Sequence, residues 1–529
     1  MLNGDNGEPR AIEVGPAILV LTMQANHLYD LISSAAPETG RPFAHLADGG
    51  YLTYRDLIAA SGRFASALRG LGVVAGDRVA VQIEKSVDAL ALYIACLRCA
   101  AIFMPLNTAY TTSEIGYFIA DADPALFVCD PARLDACRAA LAPASIPIIT
   151  LGDAGDGGLA DFARGCSAAF DNAPAGPDAP AAILYTSGTT GRPKGAVLSH
   201  HNLAANAVTL ARHWAFTSKD ILIHALPVYH AHGLFVATNV TLVSGASLLF
   251  FPKFEPREII AALPRATVMM GVPTHYTRLL EERALNRACA ANMRLFISGS
   301  APLRPETHHA WQVRTGHAIL ERYGMTETNM NASNPYEGPR VPGSVGPPLP
   351  GVEIRIVDPE TGAVLANGLE GMVEVRGPNV FAGYWRRPEK TAEDFRADGF
   401  FVTGDIGRFD AAGYLYLVGR AKDMIITGGL NVYPRDIEAE IDAIPDVVES
   451  AVIGLPHDDF GEAVTAVIVP REGSALTEAD ILPALEGRLA KFKRPKKVVF
   501  VDHLPRNAMG KVQKNLLREA FANLYASSP

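Results

Sequence analysis

From about residue 50 to 250, short apolar runs alternate with helical patterns, and this alternation limits the fold more tightly than any other feature of the chain. RVAVQIE, ALFVCD and ASLLFFPKF have the character of strands, and SVDALALYIACLRCA that of a helix. Their alternation predicts α/β layering with largely parallel strands. Residues 340 to 420 change texture: VEIRIVD, GMVEVRG and GYLYLVGR are short alternating strands between Gly, Asp and Pro turns, which predicts a small antiparallel β subdomain. After GRAKDMIITGGLNVYP come a helix (PRDIEAEIDAI), strands VVESAVIGLP and AVTAVIVP, a helix (EADILPALEGRLA) and a strand (KKVVFVDHL), the makings of a compact α+β unit. The expected plan is a loosely held extension over residues 1–22, a large N-terminal domain of layered α/β sheets with its β subdomain over 23–420, and a small α+β C-terminal domain over 421–529.

A formal charge of −9 gives no basic field for gathering nucleic acid or anionic lipid, so an anionic ligand must be held by local groups. The six cysteines are scattered through apolar or helical surroundings, which suggests reduced cytoplasmic thiols. Cys96 and Cys99 form a Cys-x-x-Cys, but spacing of three on an apolar stretch is the mark of a packed helix as much as of a redox pair. AILVLTM near the N-terminus is too short to span a bilayer and lacks a basic flank, so no targeting or membrane role is expected.

LYTSGTTGRPKGAVLSHHNL, residues 184 to 203, is the most specific chemical signal. An apolar strand ends at Tyr185, hydroxyls and glycines follow, then Lys194, and a helix opens near Ser199. Glycines let backbone N–H groups approach an anion, the hydroxyls donate and the lysine adds charge, so the segment can cradle a triphosphate. It is not a Walker A loop, because no Gly-Lys-Ser/Thr follows a glycine at the required spacing.

YTSGTTGRPKG resembles the phosphate-binding signature of the adenylate-forming enzymes, which include acyl-CoA synthetases, luciferases and peptide-synthetase adenylation domains. RYGMTET (322 to 328), TGDIG (403 to 407), GRAKDMIITGG (420 to 429) and PRNAMGKVQK (505 to 514) follow in the family's order, so the likeness covers nearly the whole chain. The resemblance implies ATP, Mg2+ and coenzyme A as cofactor and co-substrates. It assigns Thr186, Ser187, Gly188, Thr189, Thr190 and Lys194 to the β- and γ-phosphates and Glu327, with Thr186, to Mg2+. Asp405 and Arg420 would clamp the ribose, Tyr323 would stack on adenine, and Ser300, Ala301, Pro302, Glu321, Arg322, Gly324, Met325 and Thr326 would complete the nucleotide site. Lys511 would reach between the acid's oxygen and the α-phosphate during adenylation. The small domain would then be mobile, rotating about Lys422 so that Gly428, Gly429 and Leu430 line the thiol's tunnel. The basic run KFKRPKK (491 to 497) either meets the phosphates of CoA or is a solvated charge run.

The acid pocket implied by the resemblance is built from LPVYHAHG, GVPTHYTRLL and SGSAP, with His230, Arg278, Ser300 and Met325 contacting substrate. Arg278 has two readings. Periodicity lets it point to solvent and pair with Glu282 at i+4; alternatively it faces the pocket and forks onto a second carboxylate. The chain closely resembles malonyl-CoA synthetases, which favours the second reading and implies malonate, and methylmalonate with it, as the acid. A short- or medium-chain acyl-CoA synthetase, an adenylation enzyme loading a separate carrier protein, and a nucleotide binder without catalysis are the rival readings. Acylation of Lys511 by a protein acyltransferase is expected to block adenylation while sparing thioester formation.

Overall fold

The structure, a computed structural model, describes residues 26–36, 40–46, 49–142, 146–186, 193–427, 430–457, 460–486, 488–507 and 510–525. The expected extension over 1–22 lies outside these residues. Asn26 caps the first described helix, His27–Ala35, by accepting the Tyr29 N–H on its side chain.

Among the described residues the strands form four sheets. One sheet runs Gly383–Tyr384, Lys194–Ser199, Pro180–Thr186, Ile102–Pro105, Arg78–Gln82, Leu126–Cys129 and Ile148–Thr150. A second runs Asn329–Ser333, Ile319–Met325, Leu295–Ser298, Val268–Gly271, Ile221–His224, Ser247–Phe250, Pro42–His45 and Tyr51–Thr53. Their inner strands are parallel, as the alternation predicts; antiparallel pairs close both edges of the second sheet and one edge of the first, whose other edge strand Ile148–Thr150 is parallel. Helix Val87–Arg98 is buried on all sides from Ala89 onward, the state of a helix enclosed in the core. Its Tyr93 packs edge-on against Phe103 of the first sheet and also meets Phe235. Cys96 and Cys99 lie in this packing, and burial raises both thiols, Cys99 to about 11, so the Cys-x-x-Cys is structural.

Lys194–Ser199 is a strand, paired antiparallel with Pro180–Thr186 so that Thr186 faces Lys194 across the hairpin. Its side chains Ala196 and Leu198 are buried. Helix His200–His213 starts only after Ser199, whose side chain closes a capping box with Asn202.

The β subdomain is the expected antiparallel sheet of Glu353–Val357, Gly371–Arg376, Phe401–Phe409 and Leu415–Arg420, whose register sets Asp405 opposite Arg420. A single turn of 3-10 helix, Ala421–Asp423, leads from it to the last sheet, in which Leu430–Val432, Ile425–Thr427, Gly461–Pro470 and Val447–His457 pair in that order and Lys497–Phe500 joins Gly461–Pro470. Helices Pro434–Asp442 and Lys514–Ala520 contribute to separate apolar clusters of this unit. The expected helix from Glu478 stops at Ala484, since Pro483 removes an N–H from its ladder. The small unit docks on the large one through an Arg304–Asp442 ion pair at 2.5 Å and a hydrogen bond from Arg435 to the Leu417 carbonyl.

Candidate active site

Two strand ends and one hairpin bring the nucleotide-side groups together. Thr186 ends strand Pro180–Thr186, and its hydroxyl donates to Glu327 Oε1 at 3.3 Å; the Tyr384 hydroxyl donates to the same oxygen at 3.3 Å. The Lys194 ammonium lies 4.5 Å over the Tyr384 ring. Glu327 is 7% exposed, and desolvation raises its carboxyl above the usual range. Among the described residues no cation lies within 4 Å of it, so this buried carboxylate and the adjoining hydroxyl fit a hard divalent cation completed by phosphate oxygens.

Asp405 forms the second cluster. Arg420 Nε meets Asp405 Oδ1 at 2.6 Å, its Nη1 donates to the Thr403 carbonyl, and the Tyr323 hydroxyl donates to Asp405. Burial and the neighbouring Asp405 carboxylate push the Tyr323 phenol well up, so it stays a donor.

Lys511 sits on the loop of the small domain that approaches this cluster. The loop is closed by Asn507, whose side chain accepts the Lys511 N–H at 2.9 Å and whose own N–H reaches the Lys511 carbonyl. Gly510 has φ +72°, which a side chain would strain, and a Cβ there would lie 3.6 Å from Thr274 Oγ1 of the large domain. The lysine's pKa falls to about 8, through desolvation first and then the charges of Arg420 and Lys422, with Asp405 and Asp423 opposing. Much of its surface remains open, so it is a lysine at the mouth of a cleft.

Arg322 is 4% exposed, and among the described residues its Nε and Nη2 have no hydrogen-bond partner. Its guanidinium lies so close to the Gly299 backbone that a Cβ there would fall 2.3 Å from Cζ. Burial lowers the group to about 9, so it remains a cation at neutral pH. Its charge acts on His232, whose Nδ1 lies 3.2 Å from the hydroxyl of Ser300 (φ +71°); Ser298 Oγ, His230 Nε2 and His232 Nε2 are buried without hydrogen-bond partners among the described residues. Desolvation holds His230 at about 4 and His275 at about 3, so both imidazoles are neutral. A buried lysine, Lys85, whose pKa desolvation lowers well below the usual lysine value, meets His224 Nδ1 at 2.9 Å and donates to the His224 and Phe251 carbonyls at 2.7 Å.

The other expected site residues lie in varied surroundings. Arg278, expected in the pocket wall, is exposed in the last turn of helix Pro273–Glu281, with no carboxylate within 4 Å among the described residues. Its expected partner Glu282 pairs with Arg257 instead. Tyr276 and Leu279 form the buried face of that short helix, and Arg278 falls off it. Of Glu321 and Arg322, both expected on the nucleotide, Glu321 accepts the Gly343 N–H at 3.0 Å beside His308, and the Arg322 guanidinium lies against Gly299 with His232 nearby. Strand alternation is the signal that separates Arg322 from Tyr323. In KFKRPKK, Lys493 pairs with Asp436, Arg494 with Glu486, and Lys497 with the Leu524 carbonyl, the pattern of a solvated charge run. Lys422 is exposed in the 3-10 turn and Leu430 is exposed at a strand end. Met325, Thr326 and Ala301 are half-buried, Pro302 is exposed, and Gly324 packs against the Asn329 carbonyl. Ser187, Gly188, Thr189, Thr190, Gly428 and Gly429 lie outside the described residues. Lys85, Thr274 and Tyr384 carry no motif of their own, and the sequence does not single them out.

Comparison with known proteins bears on the whole chain. A profile described as AMP-binding enzyme matches residues 33–385, and one described as AMP-binding enzyme C-terminal domain matches 436–511. The mitochondrial malonate–CoA ligase ACSF3 of Mus musculus is 35% identical, covering 91% of this chain and 89% of that protein. The crystal structure of ATP-bound MatB from Rhodopseudomonas palustris is 57% identical and superimposes with a TM-score of 0.92, covering 94% of this chain and 99% of that one. The apo form of the same MatB, at equal identity and coverage, gives 0.80, so the domains here are arranged more nearly as in the ATP-bound form. The chain belongs to the AMP-binding enzyme family.

Proposed function

We propose that this protein joins malonate to coenzyme A through a malonyl-AMP intermediate, releasing pyrophosphate and AMP. The observation that carries the choice of acid is Arg322: a buried guanidinium with two N–H groups unpaired among the described residues, beside the neutral His232, asks for an anion, and a second carboxylate on the substrate supplies it. The malonate–CoA ligases and MatB among the relatives support the same reading.

A carboxylate oxygen does not leave, so AMP is attached first and the thiol displaces it. Thr186 and Lys194 hold the outer phosphates, Asp405 with Arg420 holds the ribose, and Lys511 places its charge where the attacking carboxylate oxygen meets the α-phosphorus. Glu327 and Thr186 would hold Mg2+, which neutralises phosphate charge when bound. Neutral His230 and His232 can donate to the substrate without competing with Arg322 for its carboxylates. Rotation about Lys422 then withdraws Lys511 and opens the adenylate to coenzyme A. Methylmalonate adds one methyl, a difference of about 1–3 kcal/mol, and is accepted as a slower substrate.

The exposed Lys511 is open to a protein acyltransferase, which would delete the charge adenylation uses. The six free thiols suit a cytoplasmic setting, and no helix among the described residues is long and apolar enough to cross a membrane.

The test is product analysis with ATP, malonate and coenzyme A: malonyl-CoA, AMP and pyrophosphate in equal amounts support the reading, and formation of ADP, or ATP consumption that yields no malonyl-CoA, overturns it. A pH profile checks the role of Lys511. Its charge is present below its pKa of about 8 and lost above it, so pyrophosphate release falls about tenfold per unit above that point. Transfer from preformed malonyl-AMP to coenzyme A should show no such fall.

A further inference from the structure

Helix Thr112–Ala122 sits beside the phosphate hairpin, touching strand Pro180–Thr186 at Tyr185 and the chain at Pro193, just before strand Lys194–Ser199. Tyr117 and Asp121 are four residues apart and therefore share a face. The Tyr117 hydroxyl donates to the Pro193 carbonyl at 2.7 Å, and the Tyr185 hydroxyl donates to Asp121 Oδ2 at 2.7 Å. Arg387, three residues past Tyr384, binds Asp121 Oδ1 at 2.7 Å, and the Asp121 side chain is only 10% exposed. The contacts are packed in place by Phe118, whose ring centroid lies 4.6 Å from that of Tyr185.

What these tethers hold is specific. Tyr185 immediately precedes Thr186, whose hydroxyl reaches Glu327, and Pro193 immediately precedes Lys194, whose ammonium lies over Tyr384. Arg387 ties the segment carrying Tyr384 to the same aspartate. One helix face thus ties together three chain segments: two carry Thr186 and Lys194, which hold the phosphates in the reading above, and the third carries Tyr384, which meets Glu327 and the Lys194 ammonium.

We propose that Tyr117, Asp121, Tyr185 and Arg387 form a brace of positioning residues that sets Thr186 and Lys194 at the spacing the ATP phosphates require. The proposal rests on the adenylation reading. None of the four need touch substrate; they act through their neighbours, and catalysis is sensitive to such placement.

The test is the double variant Tyr117→Phe/Tyr185→Phe, which removes two hydroxyls and keeps both rings. The brace predicts that kcat/KM for ATP in pyrophosphate release falls by about tenfold to a hundredfold. It also predicts an unchanged KM for malonate, an unchanged melting temperature, and full-speed transfer from preformed malonyl-AMP to coenzyme A. Wild-type ATP kinetics in the double variant would overturn it, as would an equal loss in both half-reactions with a lowered melting temperature. Lys194→Met run alongside separates the two claims. If it cripples ATP use while the double variant does not, the brace alone fails; if it leaves ATP use intact, the adenylation reading fails with it.

Discussion

Lys511→Ala abolishes adenylation and spares the second half-reaction. Removing one preorganised charge from a developing phosphoryl transition state costs about 10²–10³ in rate, and Lys511 is the described cation that the small domain carries to the Asp405–Arg420 cluster. Malonate-dependent pyrophosphate release should fall by that factor, while malonyl-AMP supplied ready-made is still converted to malonyl-CoA near the wild-type rate. Lys511→Gln, which mimics an acylated side chain, should behave the same way. A parallel loss of both half-reactions would mean that Lys511 supports the structure of the small domain, and full pyrophosphate release by either variant would remove it from the mechanism.

Arg322→Met removes the preference for malonate. Breaking a buried charge pair costs about 3–5 kcal/mol, so kcat/KM for malonate should drop by hundreds-fold or more. Acetate, which leaves the guanidinium of the wild type unmatched, should change little or improve, because methionine fills the site without a stranded charge. Arg278→Met is the control: an exposed residue without an ion pair should shift malonate kinetics by only a few-fold. If the two variants exchange these behaviours, Arg278 moves into the pocket during catalysis and is the clamp.

The layered fold was legible because period-two and period-3.6 patterns survive wherever an element buries one face, as in Glu353–Val357 or Pro434–Asp442. The hairpin after Thr186 was not, because Lys194 and Gly195 open the strand with residues that carry no strand signal, and its partner is chosen by tertiary pairing. The same limit explains the two arginines. GVPTHYTRLL has a buried average, but only Tyr276 and Leu279 of helix Pro273–Glu281 face the core, and a helix that short has room for little else. Arg322 lies in a strand buried from Ile319 to Tyr323, where alternation says that Arg322 and Tyr323 diverge without saying which sheet face meets the acid. Thr186, Lys194, Glu327, Asp405, Arg420 and Lys511 stood out as candidates because they sit in ordered motifs, whereas Lys85, Thr274 and Tyr384 lie in segments whose only signature is their place in the assembled fold.

The most direct measurement is coenzyme A-dependent pyrophosphate release by the wild-type protein across acetate, butyrate, octanoate, malonate, methylmalonate and succinate. A buried cation awaiting a second carboxylate predicts malonate ahead of acetate by hundreds-fold or more, with methylmalonate next. Butyrate or octanoate in the lead would contradict the account, leaving Arg322 a structural cation and the pocket one built for alkyl chains.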